Sequence, residues 1–374
     1  MWRARPAVLS VVGAMLLAFL MTDLGLGEAE PEAESQSQPR PPSLAAGQAS
    51  PSSPSAAPAV PPVAPLALRV TSATRLLVLS PHPDDEVLGA GGLIRRVVAA
   101  GGAVRIVLLT SGDAYAEGVE TAEGVHNPTA ADYRSYGATR ERESIDALGL
   151  LGVSRRAVTF LGFPDDGLCR LAEHYLSAKK AYESPYTDRI QPPDTEQVIR
   201  GVRYRGLDVR RELERIITDF GPTVLALPHP EDEHPDHCST HIFGRDAVGA
   251  LARRGVTLRA RQLHFLIHYG QWPLSEDAGA GSQMNPPANF PLSEGRWVSL
   301  ALTDDEAALK RRALLSYPSQ LLVIGRYMMA FGRSNELFLE GEPVSQPECW
   351  CADGENVATE APPARYRKRP PRRP

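Results

Sequence analysis

The sequence predicts an α/β fold, a Rossmann-like and mostly parallel sheet with helices on both faces. Three observations predict it. Short, wholly apolar runs alternate with amphipathic stretches of helical length, the runs lack the in-and-out polar alternation of a half-exposed strand, and each ends in a turn or a polar segment.

The first apolar run is 76–79, followed by a helical stretch at about 86–100 and a second strand at 104–109. Residues 131–148 are helical in pattern and 158–161 form a short strand. Val209, Leu213, Ile216, Ile217 and Phe220 make one apolar helix stripe, and Gly221 and Pro222 stop it. Residues 223–227 are then a fully apolar strand, 237–252 a helix, and 262–267 a further strand. Thr303 and Glu306 have capping-box spacing for a helix running to about 316, while 184–195 and 273–291 read as loops. Gly89, Gly91 and Gly92 lack GxGxxG spacing and lie within the first helix, where they point to close helix-to-sheet packing. No internal repeat is found.

Around this single domain, placed at 66–345, lie two tails. Arg3 and Arg5 precede an apolar run at 7–21, so residues 1–27 are expected to be an export signal or, if uncleaved, a membrane anchor. Residues 28–65 are rich in Pro, Ala, Ser and Glu and are read as an extended linker. The segment 346–374, ending RYRKRPPRRP, is read as a largely solvated tail. The expected location is therefore outside the cytoplasm: periplasmic, secreted or membrane-anchored. With 40 basic and 45 acidic residues interspersed, net charge −5, the domain has no basic footprint for nucleic acid. The four cysteines permit disulfides without requiring them, and their spacing is not that of a cysteine zinc site.

In open α/β sheets ligands bind at the carboxyl ends of strands. After Leu79 stands Ser80-Pro81-His82-Pro83-Asp84-Asp85-Glu86, and after Leu227 stands Pro228-His229-Pro230-Glu231-Asp232-Glu233-His234-Pro235-Asp236-His237. Acidic residues after a strand often serve only to cap the next helix. Two such segments, each with imidazoles and carboxylates, instead supply more than the three protein ligands that a catalytic zinc takes. Asp232 is placed to orient a histidine through its ring N–H. Ser111 and Gly112 line the pocket, while His229, His241, His264 and His268 are assigned to structure or solvent, and Cys238 has no base partner that would make it a nucleophile.

The strand ends PHPDDE and HPDH resemble the signature of the LmbE/PIG-L type N-acetylglucosamine deacetylase family. The likeness extends from about 76 to 338 and includes Arg140-Glu141-Arg142-Glu143, Leu161-Gly162-Phe163-Pro164-Asp165 and Tyr317-Pro318-Ser319-Gln320. The resemblance implies that His82, Asp85 and His237 bind Zn2+, that Asp84 is the general base, and that His234, protonated, stabilises the oxyanion. It further implies that Asp236 stands behind a ligand, and that Arg140 and Asp165 contact the sugar. A His2Asp set also accommodates Fe2+ or cobalt. The implied activity is hydrolysis of an N-acetyl group on a small sugar, glycolipid or envelope glycan, with export favouring an envelope glycan. The competing readings are a zinc amidase acting on another amide, a metal-dependent carbohydrate-binding module, which the presence of Asp84 disfavours, and a nucleotide binder, which PHPDDE in place of a glycine-rich loop disfavours.

Overall fold

The computed structural model describes residues 62–274, 281–288, 290, 295–341 and 349. The expected signal or anchor at 1–27 and the basic end of the tail lie outside them. Among the described residues, no helix is long and apolar enough to cross a membrane.

Eight strands form one mixed, mostly parallel sheet: β1 (Val63–Pro65), β2 (Arg75–Ser80), β3 (Ala103–Thr110), β4 (Val158–Phe163), β5 (Val224–Pro228), β6 (Arg261–Phe265), β7 (Arg296–Ala301) and β8 (Asn335–Glu340). Their spatial order is β1-β7-β8-β6-β5-β2-β3-β4, and only β8 runs antiparallel, pairing with both β6 and β7. Among the described residues the helices are α1 (Asp85–Ala99), α2 (Ala116–Glu123), α3 (Ala130–Leu150), α4 (Leu168–Glu173), α5 (Gly206–Phe220), α6 (Pro235–Arg253), α7 (Asp304–Leu314) and α8 (Pro318–Met329).

Apolar residues on both sides of each central strand explain the two-faced burial. Leu76 and Val78 of β2 join a core with Leu93, Ile94 and Val97 of α1 and with Ala313 and Leu314 of α7. Leu77 and Leu79 point the other way, toward Val209, Leu213 and Ile217 of α5 and Phe243 of α6. The predicted glycine packing is present: a Cβ on Gly89 would stand 2.6 Å from the Phe265 ring, and one on Gly92 would stand 2.4 Å from Leu302. Helix α1 breaks its regular geometry at Ala90 (φ −142°). Backbone groups around the break are taken up by a buried ion pair: Glu336 accepts from the N–H groups of Gly92 and Leu93, and Lys310 donates to the Leu88 carbonyl.

Two segments differ from the sequence reading. Residues 63–65 fall in the stretch read as linker, yet form β1 alongside β7. Cys349 falls in the stretch read as tail, yet is buried and disulfide-bonded to Cys238, with Cα atoms 5.6 Å apart. Short length and an embedded proline hide β1 from periodicity, and a disulfide partner is set by distance in space.

Candidate metal centre

From β2 the chain proceeds through β3 to β4 on one side, whereas β5 and β6 lie on the other, so the carboxyl ends of β2 and β5 flank the point where the winding reverses. Both candidate segments emerge there.

At the end of β2, the Pro81 carbonyl accepts from both the N–H and the hydroxyl of Thr110, 3.0 Å each, which ties the segment to β3. Asp84 then takes φ 107°, ψ −36°, a conformation costly for a residue with a Cβ, by about 1–3 kcal/mol. Two neighbours hold it there. The Asp84 N–H donates to Glu86 Oε2 (3.0 Å), and Arg140 Nη2 donates to Asp84 Oδ2 (3.0 Å). Glu86 is itself anchored by the hydroxyls of Tyr317 (2.8 Å), Ser144 (2.9 Å) and Ser80 (3.3 Å).

At the end of β5, His234 caps α6, Pro235 occupies its first turn and His237 comes one residue beyond Asp236. Asp232 organises this corner. Its Oδ1 accepts from the His234 N–H (3.1 Å), while its Oδ2 accepts from the N–H groups of Ile267 (2.8 Å) and His268 (3.1 Å) and faces His237 Nδ1 at 3.1 Å.

The two segments meet at Asp85, whose Oδ2 is 3.1 Å from His82 Nδ1 and 3.1 Å from His237 Nε2. Donors each about 2.1 Å from one ion at tetrahedral angles stand roughly 3.4 Å apart, so this spacing suits a shared metal. On its far side, His82 Nε2 faces Asp165 Oδ1 (3.0 Å) and Asp236 Oδ2 (3.5 Å). On the Asp85 side, His237 Nε2 is buried without a well-directed hydrogen bond. A buried imidazole nitrogen in that state, facing a carboxylate, fits a cation. Three overlapping groups have donor atoms close enough to hold one, His82, His234 and His237; Asp85, His237 and His268; and His82, Asp165 and Asp236, so the expected set of His82, Asp85 and His237 is divided between the first two.

Charge accompanies the geometry. Burial disfavours ionised Asp85, but the His237 and His82 imidazoles outweigh it and hold the carboxyl well below its ordinary range. Burial pushes Asp84 upward, with Asp85 and Glu86 adding to the push and Arg140 opposing it. His234 is driven well below the usual imidazole value by burial and by His82, His237 and His268. That shift favours the neutral ring over the imidazolium expected from the sequence. Its Nδ1 accepts the Asp236 N–H (3.2 Å), which leaves the proton on Nε2.

Two residues expected at the sugar have partners within the protein. Arg140 is buried, donating from Nη1 to the Gly112 carbonyl (2.7 Å) and from Nη2 to the Pro83 carbonyl (2.7 Å) as well as to Asp84. A Cβ on Gly112 would lie 2.0 Å from Arg140 Nη1, so this contact needs glycine. Asp165 is occupied by His82 and by the Ala114 N–H (2.6 Å). Asp236 accepts from the N–H groups of Asp166 (2.8 Å) and Leu168 (3.0 Å), joining the starts of α4 and α6.

Sequence reasoning assigned His268 to structure or solvent and gave Glu86 and Tyr317 no individual role. The rule that exposed the first two segments, inspection of the residues just past each buried strand, also reaches His268, which stands three residues beyond β6. The disulfide places Cys349 beside the helix that carries His237, and Cys169 of α4 is also disulfide-bonded.

Residues 77–248 match the family model "PIG-L: GlcNAc-PI de-N-acetylase". The chain is 27% identical over 232 residues to a 1D-myo-inositol 2-acetamido-2-deoxy-alpha-D-glucopyranoside deacetylase of Mycobacterium sp. (strain JLS), covering 62% of this chain and 63% of that one. It is 32% identical over 176 residues to the enzyme of the same name from Mycobacterium sp. (strain KMS), covering 46% and 50%. The chain thus spans less than two thirds of the length of either relative. Among solved structures, an N,N'-diacetylchitobiose deacetylase from Pyrococcus horikoshii aligns with a TM-score of 0.40 and 20% identity, covering 71% of this chain and 82% of that one.

Proposed function

We propose that this chain, whose residues 77–248 match the PIG-L family model, is a metal-dependent hydrolase that removes the acetyl group from an N-acetylglucosamine-type sugar or glycoconjugate. The observation that carries this reading is the single carboxylate oxygen of Asp85 set 3.1 Å from both His82 and His237, with Asp84 beside it. His82, Asp85 and His237 would hold the metal, zinc being the first choice for this donor set and Fe2+ or Co2+ the alternatives. When bound, the metal supplies Lewis acidity toward the acetyl carbonyl and lowers the pKa of water.

The chain's own residues do the rest. Asp84, fixed by Arg140 and the Glu86 carboxylate, takes a proton from the attacking water. His234 presents its neutral Nε2–H to the developing oxyanion, a contribution whose loss typically costs about 3–4 kcal/mol. The C–N bond breaks as the nitrogen takes up the proton from Asp84, giving acetate and a free amino sugar. Asp232 and Asp165 hold the rings of His237 and His82 from behind.

The enzyme acts outside the cytoplasm in this reading, on an envelope glycan or glycolipid. The support is the basic and apolar N-terminus together with the Cys238–Cys349 disulfide, a bond that persists in oxidising compartments. Acetate release from a panel of N-acetylated sugars, glycolipids and envelope glycans, with zinc present, tests the proposal against Asp84→Ala. Release that disappears in the variant while zinc remains bound is the expected result. Metal binding with no release from any member of the panel would favour an amidase of different substrate or a binding module.

A further inference from the structure

We propose that the Cys238–Cys349 disulfide gates the metal centre, so that the chain holds metal tightly only after these two thiols have been oxidised. The inference rests on the reading above and adds a condition to it. Cys238 directly follows His237 in α6, and Cys349, 111 positions further along, is bonded to it. Cys169, one residue into α4, is disulfide-bonded as well, and no cysteine among the described residues is free. The Cys169 sulfur lies 3.7 Å from the Cys349 carbonyl oxygen, and Cys169, Cys238 and Cys349 form one buried cluster packed against Ile242. Cys349 is thus wedged between the two helices, bonded to α6 and touching α4.

That junction supports the centre from two directions. Asp236, in the first turn of α6, accepts from the N–H of Leu168, the residue before Cys169, and from the N–H of Asp166, while its Oδ2 stands 3.5 Å from His82 Nε2. The turn leading into α4 also carries Asp165, 3.0 Å from the same His82 nitrogen. Within that turn Asp166 takes φ 54°, a left-handed conformation that its surroundings must hold in place. A six-residue helix such as α4 does not sustain itself in water, so the turn and the helix keep their places through packing on α6. The sulfur cluster is the covalent part of that packing. Breaking it loosens the helix start that carries His237 together with the turn that sets Asp165 behind His82, and metal affinity depends steeply on such supports. Closure is a thiol–disulfide exchange: the Cys238 and Cys349 thiols pass two electrons and two protons to the disulfide of an oxidised dithiol, which leaves as two thiols as the Sγ–Sγ bond forms. Both sulfurs are buried in the finished fold, so the exchange precedes final packing of this corner and acts as a checkpoint in assembly.

The test uses the full chain and needs no substrate. Zinc affinity is measured by competition with a chelator, and the cobalt-substituted protein is followed by visible absorption, for the oxidised wild type and for the double variants Cys238→Ser/Cys349→Ser and Cys238→Ala/Cys349→Ala. Neither serine nor alanine supplies a thiolate that could bind zinc in its own right. Loss of the bond should weaken zinc by about tenfold or more, the scale on which an outer support of a metal ligand acts, and should change the cobalt spectrum. Circular dichroism and melting of the metal-free proteins show which double variant is folded at the assay temperature, and that one is read. Wild-type affinity and spectrum in a folded double variant would overturn this inference and leave the proposed function standing. Two double variants that are both unfolded, even with zinc present, would overturn it as well, because the bond would then secure the whole domain and not the centre. An oxidised wild type that binds neither zinc nor cobalt would overturn the proposed function together with it.

Discussion

Arg140 Nη2 stands 3.0 Å from Asp84 Oδ2 with both side chains out of solvent, so the carboxylate beside the proposed metal ligands is carried on a guanidinium that no other cation geometry replaces. Lysine offers one point charge and cannot span Asp84, the Pro83 carbonyl and the Gly112 carbonyl together. Arg140→Lys is therefore expected to lower kcat by about 100-fold, the scale of a small misplacement of a catalytic group. Zinc content should be retained. Steady-state kinetics paired with metal analysis check both halves, and loss of zinc in step with kcat would contradict the assignment.

Tyr317 and Glu86 lie 231 positions apart and share a buried hydrogen bond of 2.8 Å. Removing the hydroxyl in Tyr317→Phe leaves Glu86 with a donor fewer, which should destabilise the domain by about 1–3 kcal/mol. Urea unfolding measures the loss directly. A variant as stable as the wild type would show that Ser80, Ser144 and the Asp84 N–H suffice for Glu86.

Two neighbouring glycines of α1 should respond differently to alanine. A Cβ at Gly92 meets Leu302 at 2.4 Å, whereas one at Gly91 meets nothing nearer than Val87 at 3.2 Å. Gly92→Ala should cost about 1–3 kcal/mol through overpacking, and Gly91→Ala should cost less. Comparable denaturation midpoints for the two would refute the close-packing account.

The Cys238–Cys349 link closes a loop with a sequence separation of 111. Chain entropy alone gives such a link about 4–5 kcal/mol, an upper figure for the effect of Cys349→Ser. The melting temperature of the wild type should fall on adding dithiothreitol, and the variant should already melt at a lower temperature before reduction.

Glu196 provides the pH prediction. Burial pushes its pKa up to about 8, with Glu141 and Asp113 adding and Arg189 opposing. A raised folded-state value means that the fold favours the protonated form. Its contribution is complete below the ordinary carboxylate range and is lost as pH rises toward about 8. Glu196→Gln should accordingly raise the melting temperature above pH 8, by roughly 2 °C for each kcal/mol recovered, and change it little near pH 4. Thermal melts at the two pH values decide it, and equal shifts at both would rule out titration as the cause.

The central sheet was legible because strands buried on both faces must be apolar throughout, as 76–79 and 223–227 are. Strands β7 and β8 were not, since Arg296, Ser299, Asn335 and Glu336 interrupt them; Glu336 is buried only because Lys310 and the kinked α1 backbone satisfy it. Within the site, dense His and Asp runs after two strands marked where chemistry would gather. What the runs could not convey is which partner each residue takes. Arg140 and Asp165 are near the centre as expected, but the nearest charges, Asp84 and His82, claim them first.

The antiparallel strand β8 is the last of these eight to be made, yet it lies between β7 and β6 in the interior of the sheet. Until Glu340 has left the ribosome, β6 has an open edge and β1 and β7 have nothing to join. A nascent chain of more than 300 residues therefore exposes unpaired strand edges, the feature that templates aggregation. The sheet is therefore completed only after β8, which follows the other seven strands in the chain, has been made.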